Sequence, residues 1–158
     1  MIRRKRGERG AAIIEFAVVL PLMLVLIFSV VDFGLYFFIE HTIQFATREG
    51  VRLALVGRTV NDGQGNALNR EDSIVQTIQQ KAAIAIDPSK LEISIFPVDA
   101  NYDDPAGWET TRDAGAPGAY MRVTTRYSYP FVTPLLAAIA TNGKLPVKAQ
   151  ATYRNELF

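Results

Sequence analysis

The sequence predicts an α+β protein. A long N-terminal transmembrane helix continues as an amphipathic stalk, which packs on a small antiparallel sheet of about three strands with one or two further helices. Three observations lead there. Residues 11–39 carry no charge except Glu15 and Asp32. Apolar residues then recur at helical spacing to about residue 55. Three later segments alternate apolar and polar residues, as half-buried strands do.

Residues 1–10 form a basic leader. Arg3, Arg4, Lys5, Arg6 and Arg9 against Glu8 give it a net charge of +4, while the rest of the 158-residue chain carries −3. The overall +1 therefore hides a basic tip on a mildly acidic body. A nucleic-acid binder carries its basic residues on the folded part, so no nucleic-acid partner is expected.

Residues 11–39 follow as a transmembrane helix. Phe16 to Val31 is sixteen residues without a charge. Glu15 and Asp32 would lie about 25 Å apart along such a helix, close to the hydrocarbon thickness of a bilayer. Asp32 and Tyr36, with Phe33, Phe37 and Phe38, are placed at the membrane interface as an aromatic belt. Pro21 is compatible with a membrane helix, where neighbours re-satisfy the freed carbonyl. A cleaved secretory signal fits poorly, because its apolar core is shorter and a small-residue cleavage site follows it. Basic residues directly before the span keep the N-terminus cytoplasmic and send the body across.

Residues 40–158 form the exported α+β domain, beginning with the stalk 40–56. Ile39, Ile43, Ala46, Gly50, Leu53 and Gly57 share one side of the wheel, and Gly57 with the run Asn61–Asn66 ends it. A second helix is predicted from Arg70 to Ile86, capped by Asn69, with Glu71 and Asp72 at its positive end and Pro88 as its stop. Ile74, Ile78, Ala82 and Ala85 mark its buried stripe. In the first strand Leu91, Ile93 and Ile95 face the core against Glu92 and Ser94. In the second, Met121, Val123 and Tyr127 do so against Arg122, Thr124, Arg126 and Ser128. In the third, Val147, Ala149, Ala151 and Tyr153 do so against Lys148, Gln150, Thr152 and Arg154. Between the last two, Pro134–Ala140 reads as a short helix closed by Asn142-Gly143.

Little in the chain points to catalysis. The absence of cysteine excludes disulfides, thiolate–metal sites and cysteine nucleophiles. His41 is the single histidine, so a zinc site of ordinary composition cannot form. No nucleophile elbow, phosphate loop or His-Glu-x-x-His string occurs, and the pairs Asp103-Asp104 and Glu71-Asp72 read as loop and helix-start charge. The expectation is a non-enzyme without cofactors. Asp99, Asn101 and Asp103 match the first three ligand positions of a calcium loop. The turn glycine is replaced by Asp104, however, and the twelfth position is Thr110, with Glu109 one residue early. Trp108, Tyr102 and Tyr120, around the Gly/Pro-rich stretch 98–119, either anchor that loop or offer a contact surface to another subunit.

One residue remains unexplained by anchoring. Glu15 sits inside the apolar run, where a carboxylate costs about 2.5–3.5 kcal/mol on insertion scales if it lies at the helix centre. It falls five residues after Gly10. The string Gly10-Ala11-Ala12-Ile13-Ile14-Glu15-Phe16, after a basic leader, resembles the prepilin peptidase motif of type IV pilin-like proteins. Arg9 to Leu22, followed by Val31-Asp32-Phe33-Gly34, resembles the TadE-like family of the tight-adherence (Flp) pilus system, and the ending Arg154-Asn155-Glu156 is similar to that family's close. The strong part of the likeness covers about residues 7–50.

The resemblance implies a structural minor pilin or pseudopilin, cut by prepilin peptidase between Gly10 and Ala11. Glu15 and Phe16 would set helix register during assembly. The implied partners are other pilin-like subunits and the pilus assembly machinery, in the bacterial inner membrane or in the pilus itself. The alternatives are an uncleaved membrane-anchored assembly factor and, from another class, a membrane-tethered periplasmic binding module or enzyme.

Overall fold

The computed structural model describes residues 6–157; residues 1–5 of the basic leader lie outside them. The protein is α+β, as expected. Its elements are α1 (Arg6–Leu55), α2 (Arg70–Ala82), β1 (Glu92–Pro97), β2 (Tyr120–Pro130), α3 (Pro134–Ile139) and β3 (Lys144–Arg154). Single 3-10 turns stand at Pro88–Lys90, Trp108–Thr110 and Thr141–Gly143. The chain divides into two compact units. One holds the residues up to Leu35 with Pro130–Leu145; the other holds Tyr36–Tyr129 with the residues from Pro146 on.

In the first unit α1 runs unbroken through Pro21. Its most apolar eighteen residues have a mean hydropathy of 2.7, and none of them is buried within the chain. Ile13, Phe16, Leu22 and Leu26 each leave more than half of their surface open. This is the one helix among the described residues that is long and apolar enough to cross a membrane, and it marks the chain as membrane-anchored. The segment 130–145 turns into α3, where Pro134 occupies a first-turn position that needs no N–H donor. It reverses at Asn142 and Gly143, both in the left-handed region, and Phe131 N–H donates to the Gly143 carbonyl at 3.3 Å.

In the second unit the continuation of α1 buries Ile39, Ile43, Ala46, Thr47, Gly50 and Ala54, one side of the wheel. Helix α2 crosses it at Gly50, where an added Cβ would stand 2.4 Å from Ile78 Cγ1. Glycine is therefore fixed here by close approach. Asn69 caps α2 as expected, its Oδ1 accepting the Asp72 N–H at 2.7 Å. The helix ends at Ala82, four residues before the expected stop. Residues 83–86 tighten into turns closed by Ala85 N–H to Ala82 O and Ile86 N–H to Ala82 O, which carries Ile86 into the core.

The sheet has the order β1-β2-β3, with β1 and β2 antiparallel from Glu92↔Arg126 to Pro97↔Met121. Cross-strand partners share a face, so Ile93, Ile95, Val123 and Thr125 lie together. That face meets α1, where Thr47 Oγ1 and Thr125 Oγ1 are 2.8 Å apart. The other face corrects the strand reading. Ser94, Arg122 and Thr124 were expected to face solvent, yet all three are buried, together with Phe96. Residues 98–119 fold over them. Trp108 packs against Phe96 at a tilt of 41° with ring centroids 5.1 Å apart, Ser94 Oγ donates to the Glu109 carbonyl, and Ile95 exchanges backbone hydrogen bonds with Thr111 and Asp113. Strand β3 keeps its alternation: Val147, Ala149 and Tyr153 are buried between exposed neighbours.

Candidate functional site

The site begins on the bare part of α1. Gly10, Ala11, Glu15 and Phe16 all lie in the helix and are all exposed. Ala11 and Glu15 are four residues apart, so they stand one above the other on the same side. Around Glu15 the exposed side chains are those of Ile13, Ile14, Phe16, Val18 and Val19, an acid set in an apolar surface. An added Cβ at Gly10 would meet nothing within 4 Å, so packing inside the chain does not require glycine there.

At the far end of the apolar run Asp32 is fully buried. Its Oδ1 accepts the Val132 N–H and its Oδ2 the Thr133 N–H, each at 2.9 Å. Helix α3 has no capping side chain of its own, so Asp32 supplies the acceptor for the backbone entering it. Phe33 packs edge-on against Phe131, ring centroids 6.5 Å apart. The sequence reading placed Asp32 at the membrane interface but missed this second attachment. The one local hint is Thr133-Pro134, a turn into a helix ahead of which the N–H groups of Val132 and Thr133 need an acceptor from elsewhere. Tyr36, half-buried, meets Phe37 and Tyr129 edge-on at 5.5 and 5.9 Å.

In the body a polar knot gathers the chain's end. The Arg70 guanidinium donates to Gly115 O, Ala54 O and Asn155 Oδ1. Asn155 Nδ2 donates to Ala114 O and Ala116 O, and Glu71 Oε1 accepts the Ala114 N–H. Glu156 N–H closes on Leu55 O, the last residue of α1. Glu71, read as helix-start charge, therefore also holds a loop. Tyr153 is buried nearby with an unpartnered hydroxyl, and burial pushes its phenol up to about 12.

The loop 98–119 is fixed from within. Asp99 Oδ1 accepts the N–H groups of Asn101 and Asp103, so the first calcium candidate caps its own turn. Among the described residues no group of three histidine or acidic side chains converges as a metal site would require. Asp104 is paired with Arg122, whose guanidinium also donates to Tyr102 O at 2.9 Å and to Thr152 Oγ1 at 3.0 Å. Trp108, half-buried, lies under Arg126 and Lys148. It anchors the loop. Tyr102 and Tyr120 meet edge-on at 5.9 Å and remain largely exposed. Elsewhere Asp62 accepts the N–H groups of Gln64 and Asn66, and Asp87 accepts the Ser89 N–H and hydroxyl; these bonds hold both carboxyls below the usual range.

Comparison with known families bears on the first of these regions. Residues 10–52 match the family model of TadE-like protein, in agreement with the resemblance read from the motifs. No curated protein and no solved structure is significantly similar to the chain. The match spans Gly10, Glu15 and Asp32, and likeness to a TadE-like model points to involvement in a tight-adherence pilus.

Proposed function

We propose that this chain is a structural minor pilin or pseudopilin of a tight-adherence pilus, anchored in the bacterial inner membrane with its N-terminus cytoplasmic and its body exported. It acts in pilus assembly or priming, and its partners are other pilin-like subunits, the assembly machinery and a prepilin peptidase. One observation carries the reading: an isolated carboxylate, Glu15, lies on an uncovered apolar helix within the segment that matches the family.

The chemistry follows from the costs. Cleavage between Gly10 and Ala11 strips the +4 leader and frees an amine with an ordinary pKa of about 7.7–8.0. A carboxylate that is expensive alone in lipid becomes a register device when a neighbouring subunit's amine meets it. The bond to be cut is helical here, and a protease needs it unwound. Glycine in a helix costs about 1 kcal/mol relative to alanine, so Gly10 lowers the cost of unwinding at that bond. The continuity of α1 through Gly10 favours the second reading, an uncleaved membrane-bound assembly factor.

Intact mass and N-terminal sequencing of the protein extracted from membranes separate the two. A chain starting at Ala11 is expected. A chain starting at Met1 or Ile2 rejects processing and leaves the uncleaved factor.

A further inference from the structure

We infer that the β2–β3 connection, residues 131–143, is a second membrane-contacting element that lies in the lipid interface beside the emerging helix. The inference rests on α1 crossing a membrane. A helix starting at Ala11 reaches Asp32 after about 32 Å, the depth at which a hydrocarbon core of about 30 Å ends. At that level the Asp32 carboxylate is buried and holds the N–H groups of Val132 and Thr133 at 2.9 Å. The connection is thus tied to the anchor at the boundary, and residues 130–145 form one compact unit with the apolar helix.

Its composition suits that place. Residues 127–143 contain no charged side chain, in a chain of which 21% is charged. Val132 is 68% exposed, and Pro134 and Ala138 are also exposed, so the uncharged surface is turned outward. It continues the lipid-facing surface of α1, where Val31, Phe33 and Leu35 are exposed. Asp32 takes up N–H groups that would otherwise face the membrane without an acceptor. The occupant of this surface is therefore lipid.

The absence of cysteine allows a single reporter per protein. Full-length Val132→Cys, Leu24→Cys and Gln64→Cys chains, each carrying a nitroxide, are placed in phosphatidylethanolamine–phosphatidylglycerol vesicles. Collision with oxygen, which concentrates in lipid, is compared with collision with a water-soluble nickel chelate. Leu24 is expected to report oxygen and Gln64, in a polar loop, nickel. Val132 is expected to favour oxygen severalfold over Gln64. A Val132 label as nickel-accessible as Gln64, with Leu24 still in lipid, overturns the inference and leaves the anchor standing. Shielding of Val132 from both reagents means that protein covers it, and also overturns the inference. Nickel access at Leu24 removes the anchor and the inference together. Ala138→Cys replaces Val132→Cys if that variant does not fold.

Discussion

Asp32 and Thr133, a hundred and one residues apart, are joined by a hydrogen bond of 2.9 Å from the Thr133 N–H to the Asp32 carboxylate. The other oxygen of the same carboxylate holds Val132. Asp32→Ala removes both acceptors, and hydrogen bonds to a charged group are worth about 1.5–3 kcal/mol each. Amides of residues 132–139 are expected to exchange with deuterium at least tenfold faster in the variant, while α2 and the sheet keep their protection. Asn at this position offers one oxygen in place of two and is expected to fall between.

Gly50 tests the close crossing of α1 and α2. A methyl group there meets Ile78 at 2.4 Å, so Gly50→Ala is expected to destabilise the body by about 1–3 kcal/mol through overpacking. Gly34→Ala is the control, since an added Cβ meets nothing within 4 Å and alanine is the better helix former. Thermal unfolding in detergent is expected to show a fall for the first and none for the second.

The Arg122–Asp104 pair bolts the 98–119 loop to the sheet. Arg122→Ala leaves the Tyr102 carbonyl and the Asp104 carboxylate without their donor, and a loss of about 2–3 kcal/mol is expected. Limited proteolysis is expected to cut first within residues 98–119. Uniform digestion without early cuts there contradicts this role.

Alkaline stability is set in part by Tyr153. Its phenol ionises near 10 when unfolded but only near 12 when folded, so the folded state holds a proton that the unfolded state has lost. The stability from the neutral phenol is whole below about pH 10 and drains as pH rises through 12, by about 2–3 kcal/mol at the limit. Tyr153→Phe is expected to flatten this fall. It is expected to cost little at pH 7, because the hydroxyl has no partner to lose. Denaturant unfolding across this pH range measures both effects.

Glu15 separates tethering from assembly. Glu15→Ala makes the helix more apolar, so membrane insertion and protein level are expected to stand while surface pili, assayed by shearing and immunoblotting, are lost. Normal piliation in this variant removes Glu15 from any part in register.

Much of this architecture was legible in the residues because the responsible forces act locally. An apolar run long enough to span a membrane, the Asn69 cap, the 3.6-residue stripe through Ile43 and Gly50, and the alternation of Val147, Ala149 and Tyr153 each report one nearby environment. The Gly10–Phe16 motif was equally plain, being a contiguous string. What such patterns cannot contain is the second neighbour of an element. Ser94, Arg122 and Thr124 read as solvent-facing because alternation marks only the face toward the helices; their burial depends on Trp108 and Asp104 arriving from a stretch without periodicity. Asp32 read as a boundary charge, and only the folded chain brings Val132 and Thr133 to it. Polar side chains accept whatever donors the fold delivers, and that delivery, between residues a hundred positions apart, was decided by tertiary structure.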